Sequence, residues 1–137
     1  MGKISVVGIG PGSLDDMTYR ARRTIEEATV VVGYKRYVEL IEDIIKDKRV
    51  LDTGMTQEID RCRAALKEAM DGETVVVISS GDAGIYGMAG LVLELLVKID
   101  EAERPEVGGI VPGVSAMRAA AALLGGRLLR DVVVISG

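Results

Sequence analysis

The sequence predicts an α/β domain built on a mostly parallel sheet. Short β-branched runs alternate with stretches of helical period along the chain. The most apolar run, Thr74 to Ile78, shows no polar alternation, as a strand covered on both faces requires. Several of the runs end at glycine. Strands joined through helices lie parallel and cross over with a right hand.

The elements follow in order. Ile4 to Ile9 is the first strand, running into glycines. Met17, Ala21, Ile25 and Ala28 then repeat at helical spacing, with Ser13, Asp15 and Asp16 as candidate N-caps. Thr29 to Val32 is the second strand, stopped by Gly33, and Tyr37, Leu40, Ile41, Ile44 and Ile45 form the next helical face. Arg49 to Leu51 is a short third strand. Ile59, Cys62, Leu66 and Met70 mark a helix ending at Asp71-Gly72, ahead of the strand Thr74 to Ile78. Ile85, Met88, Val92, Leu95 and Ile99 mark another helix. Val107 to Val111 is a further strand, weakened by Gly108 and Gly109. Val114, Met117, Ala121 and Leu124 give a last helical stripe before Val132 to Ile135. Val75 to Ser79 and Val132 to Ser136 are identical pentapeptides, but the identity extends no further, so they are two buried strands and not a repeat.

A length of 137 residues suits a single domain, 1–137, large enough to bury a core. With no Phe, Trp or His, that core must be built from aliphatic residues and Met. A net charge of −4 without a basic stripe, and four Tyr as the only aromatics, argue against nucleic acid as a partner. Cys62 is the sole cysteine, which rules out an internal disulfide and a Cys/His zinc site, and suits a reducing, cytoplasmic setting. The amino terminus does not read as a signal peptide, and no apolar run reaches membrane-spanning length.

Ligands in a parallel sheet sit beyond the carboxyl ends of the strands. Three glycine-rich loops fall there. Gly8-Ile9-Gly10-Pro11-Gly12 follows the first strand; it permits close backbone approach to a ligand, or serves only as a strand-to-helix turn. Its spacing departs from G-x-G-x-x-G, and Pro11 has no N–H for a phosphate. Gly33-Tyr34-Lys35 stands where a dinucleotide site expects an acid for the ribose, which disfavours nicotinamide binding and the usual Rossmann-type methyltransferases alike. The second loop is Ser79 to Met88. Its Asp82 either accepts hydrogen bonds from a ligand or caps the following helix. Ser79 and Ser80 lack a His to activate either as a nucleophile. The third is Val111-Pro112-Gly113-Val114-Ser115-Ala116, where Ser115 binds a ligand or caps. Gly33 to Tyr37 and Asp52 to Glu58 are two further loops that could line a substrate surface or be ordinary turn and helix-start chemistry.

Taken as an ordered set, Gly-Ile-Gly-Pro-Gly, Ser-Ser-Gly-Asp-Ala-Gly-Ile-Tyr-Gly-Met-Ala and Val-Pro-Gly-Val-Ser-Ala resemble the tetrapyrrole methylases, from about Lys3 to about Leu124. Val32-Gly33-Tyr34 and Thr53 to Cys62 are similar to the branch of that family that methylates C17 of precorrin-3B, or its cobalt-containing counterpart, in cobalamin biosynthesis. The resemblance implies a three-layer α/β sandwich with a five-stranded parallel sheet in the order 3-2-4-1-5. It implies a cleft between two α/β domains, of which this chain is the amino-terminal half. The chain ends at Ser136-Gly137, where the second domain is expected to begin. The segment Gly125 to Asp131 departs from the family pattern, in which a His often precedes the Asp.

Carried over by position, Pro11, Asp82, Ile85, Ser115 and Ala116 would contact S-adenosyl-L-methionine, while Gly81, Ala83 and Gly84 would let it approach the backbone. Gly10, Gly12, Tyr34 and Met55 would lie toward the tetrapyrrole. S-adenosyl-L-homocysteine is the product this chemistry implies, and no residue is assigned to proton transfer. The implied enzyme is a methyltransferase, a homodimer without membrane or nucleic-acid partner, and the isolated half is expected to be inactive. Methylation of another ring carbon, or a non-catalytic binding or dimerisation module, are the rival readings.

Overall fold

A computed structural model describes residues 2–54, 57–81, 88–115, 119, 122 and 123. Five strands, β1 (Lys3–Gly8), β2 (Val30–Tyr34), β3 (Arg49–Thr53), β4 (Thr74–Ser79) and β5 (Glu106–Val111), form one parallel sheet in the order β3-β2-β4-β1-β5. Helices α1 (Tyr19–Glu27), α2 (Lys35–Leu40), α3 (Glu58–Met70) and α4 (Ala89–Leu96) connect them.

Strand alternation divides the core into two faces. Ile4, Val6, Val30, Val32, Val75 and Val77 pack with Cys62, Ala65, Leu66, Val92 and Leu96 from α3 and α4. Val7, Val31, Val76 and Ile78 pack on the other face with Ala21, Ile25, Val38, Ile41 and Ile45. Both faces of β4 are therefore covered, which is why its sequence reads as unbroken Val and Ile. The result is the three-layer sandwich, in the expected strand order.

Local readings need four corrections. First, α1 is capped by Thr18, whose Oγ1 accepts from Ala21 N–H at 3.0 Å. Ser13 instead caps a short 3-10 turn at Leu14–Asp16, accepting from Asp15 N–H at 3.2 Å. Second, Gly33 does not end β2 but sits inside it opposite Asp52, so Asp52 and Thr53 also belong to a strand. A Cβ at position 33 would lie 2.4 Å from Ile78 Cγ1 and 2.9 Å from its Cδ1. Glycine is there for interstrand packing, not to stop the strand.

Third, the buried stripe of α3 is Arg61, Cys62, Ala65, Leu66 and Ala69, while Ile59 and Met70 are exposed. Fourth, the helix expected through Ile45 breaks after α2 into a 3-10 turn, Glu42–Ile44. Ile41 and Ile45 still reach the core, but Leu40 faces out.

β5 pairs with β1 through a register shift between Ile4 and Ser5, where Gly108 and Gly109 give β5 the slack for a bulge. Gly109 has φ +126°, and a Cβ on Gly108 would lie 2.2 Å from Ser5 Oγ. Ala119, Ala122 and Leu123 are helical, but most of the last helical stripe and Val132 to Ile135 lie outside the described residues.

Candidate functional site

The loops after β4, β1 and β5, three neighbouring strands, meet at the carboxyl edge of the sheet. Ile9 N–H donates to Ser79 C=O at 2.9 Å, continuing the β1–β4 ladder into the loops. One step further, Gly10 N–H donates to Gly81 C=O at 3.0 Å and Gly81 N–H returns to Gly10 C=O at 2.8 Å. Both glycines are in the left-handed region, with φ +80° and +62°, which side chains disfavour. From the third loop, Gly113 packs onto the same carbonyls: a Cβ there would lie 2.3 Å from Gly81 O and 2.7 Å from Gly8 O. Among the described residues, main chain thus packs against main chain to make a floor at Gly10, Gly81 and Gly113.

Of the residues expected at the cofactor, Gly81 is part of this floor, Ser115 is buried two positions after Gly113, and Pro11, next to Gly10, is exposed. The Ser115 carbonyl accepts from Ala119 N–H at 3.0 Å. Asp82, Ala83, Gly84, Ile85 and Ala116 lie outside the described residues. Of those expected toward the tetrapyrrole, Gly10 is buried in the pair with Gly81, and Gly12 (φ +130°) lies by Leu40 at the end of α2. Tyr34 is half-buried at the end of β2, and Met55 lies outside the described residues.

Next to the floor, over the ends of β2 and β4, is a cavity of about 140 Å³. Tyr34, Glu58, Arg61, Ser79, Ser80 and Met88 are among its walls. Tyr34 is fixed edge-on to Tyr37, with ring centroids 5.1 Å apart. Ser79 and Ser80 lead directly into Gly81, so cavity and floor share one stretch of chain. Arg61 is 4% exposed. Its Nε donates to Thr53 Oγ1 at 2.7 Å, Nη2 to Gly54 C=O at 3.0 Å, and Nη1 makes a weak 3.9 Å contact with Met88 Sδ. Its guanidinium also stands 5.8 Å from the centre of the Tyr34 ring.

Sequence reasoning placed no function on Arg61. The available signal was its position: an arginine immediately before Cys62 and four residues before Ala65 falls on the stripe that α3 buries. A larger groove, about 400 Å³, runs between α3 and α4 past Leu66, Met70, Leu95 and Ile99. It belongs to the helical layer and not to the strand ends. Cys62 is fully buried, and loss of water around it pushes the thiol from 9.0 up to about 11, against the pull of Arg61. It is a core residue, not a nucleophile. No group of three or more potential metal ligands occurs among the described residues. No helix among them is long and apolar enough to cross a membrane.

Parallel strands ending in a backbone floor beside a cavity make an α/β domain of the kind whose strand ends are the usual place for a ligand. The family model for Tetrapyrrole (Corrin/Porphyrin) Methylases matches residues 3–136, and the chain belongs to that family. It is 50% identical over 135 residues to a probable cobalt-factor III C(17)-methyltransferase of Salmonella typhimurium, covering 97% of this chain and 54% of that protein. To the cobalt-factor III methyltransferase of Priestia megaterium it is 47% identical over 138 residues, 98% of this chain and 25% of that one. Among solved structures, the methyltransferase CobJ superposes with a TM-score of 0.87 at 38% identity, over 98% of this chain and 56% of that chain. A uroporphyrin-III C-methyl transferase from Thermus thermophilus, complexed with S-adenyl homocysteine, gives 0.68 at 28% identity, over 88% and 52%. The chain thus spans about half or less of the length of these relatives.

Proposed function

We propose that this chain is the amino-terminal domain of an S-adenosylmethionine-dependent methyltransferase acting at C17 of precorrin-3B or cobalt-precorrin-3 in cobalamin biosynthesis. The observation that carries the reading is the joining of the three glycine loops, Gly10 to Gly81 to Gly113, into one backbone floor. A floor of main chain suits a ligand recognised through backbone groups and close approach. Relatives named for cobalt-factor III C17 methylation supply the substrate class.

When bound, S-adenosylmethionine supplies an already activated methyl group, so the protein's task is proximity and orientation. Gly81 and Ser115, with Asp82, Ala83, Gly84, Ile85 and Ala116 that follow them, would hold the cofactor, and Pro11 would border it. Gly10, Gly12, Tyr34 and Met55 would face the macrocycle. A second α/β domain would close the cleft, and the assembled enzyme would be a cytoplasmic homodimer.

Calorimetric titration with S-adenosylhomocysteine tests this, using this chain beside a longer protein that includes the region following it. Binding only by the longer protein is expected. Failure of both to bind overturns the reading.

A further inference from the structure

The geometry points to Arg61 as the residue that receives a carboxylate of an acidic macrocycle, an inference that rests on the methyltransferase reading above. Its guanidinium carries five N–H donors in a planar fork. Thr53, Gly54 and the weak Met88 contact take one donor each, which among the described residues leaves one N–H on each terminal nitrogen. All three acceptors are neutral. No carboxylate among the described residues pairs with Arg61 within 4.0 Å, although Glu58 lines the same cavity.

A buried cation without a counterion costs stability. A fold built only for stability would place an apolar residue on that stripe of α3, as it does at Cys62, Ala65, Leu66 and Ala69. Arg61 is instead braced at Nε and at one terminal nitrogen, and the braced residue lines the cavity. Two N–H groups on adjacent nitrogens match the two oxygens of a carboxylate. The amino-acid carboxylate of the cofactor is the other anion to consider. Position favours the macrocycle: the cavity stands over β2 and β4, whereas the backbone floor extends over β4, β1 and β5. Tyr34, whose ring the guanidinium overlies at 5.8 Å, lines the same cavity.

The test uses the full-length protein as wild type, Arg61→Gln and Arg61→Lys. Binding of cobalt-factor III and of its fully methyl-esterified form is read by absorbance, and S-adenosylhomocysteine by calorimetry. Arg61→Gln is expected to weaken the free acid roughly 10- to 100-fold. It should leave the ester and S-adenosylhomocysteine unaffected. Arg61→Lys, which keeps the charge and loses the fork, should fall between, and it carries the test if the Gln variant does not fold. Equal loss for acid and ester would overturn the inference and make Arg61 a brace for Thr53 and Gly54. Weakened S-adenosylhomocysteine with unchanged acid would assign the arginine to the cofactor and overturn it as well. Unchanged acid binding by Arg61→Gln sinks the arginine's role alone. Wild type that binds neither ligand sinks the methyltransferase reading and this inference together.

Discussion

Gly10 and Gly81 exchange two backbone hydrogen bonds, at 3.0 and 2.8 Å, and so fasten the loop after β1 to the loop after β4. Both glycines sit in the left-handed region, at φ +80° and +62°. Gly10→Ala would force a side chain into φ +80° and place its Cβ 2.9 Å from Asp16 O. The left-handed conformation alone costs about 1–2 kcal/mol. Urea denaturation should show at least that loss with an unchanged slope. In the longer protein, S-adenosylhomocysteine affinity should fall with it.

Gly33 and Ile78 make a reciprocal pair across β2 and β4. Gly33→Ala puts a methyl 2.4 Å from Ile78 Cγ1 and should cost about 1–3 kcal/mol by overpacking. Ile78→Ala alone should cost about 2–5 kcal/mol through the cavity it leaves. Combined, the two should be less destabilising than their sum, because the new methyl enters the vacated space. Strict additivity in a double-mutant cycle would show that the two side chains do not meet.

Cys62 gives a pH-dependent prediction. Its thiol ionises near 9.0 when exposed and near 11 when folded, so the folded state disfavours the thiolate. Stability from this group is complete below pH 9, declines between pH 9 and 11, and is lost above it. Replacement by Ala should flatten that part of the stability–pH curve. Alkylation of the wild type at pH 8 should proceed only as fast as the protein opens.

Lys48 closes the end of α1 by donating from Nζ to Glu26 C=O at 2.7 Å and Ala28 C=O at 2.8 Å. Carbonyls at a helix end have no partner within the helix and attract cations. Lys48→Met should therefore lower stability by about 1 kcal/mol, measured by thermal unfolding. Lys48→Arg should recover part of it.

Much of this was legible in the sequence because strands buried on both faces write their burial plainly. Thr74 to Ile78 needs apolar residues at every position, and it has them. Gly33 misled because a strand glycine looks the same whether it ends a strand or makes space for Ile78, and only the facing strand decides. The α3 stripe was read from its most apolar residues, but exposed Ile59 and buried Arg61 reverse the usual preference. Order of the glycine loops was visible; that Gly113 rests on the carbonyls of Gly8 and Gly81 was not, since no local pattern encodes a contact between main chains.

The position of β4 between β1 and β2 governs how this chain can be made. During synthesis β1, β2 and β3 leave the ribosome first, but β1 pairs only with β4 and β5. β2 and β3 can associate early, whereas β1 keeps its Ile4, Val6 and Val7 without a sheet until Thr74–Ser79 has been translated. That delay leaves an apolar, β-branched segment exposed on the nascent chain, the stage at which aggregation competes with folding. The central strand is thus also the one that commits the domain to its fold.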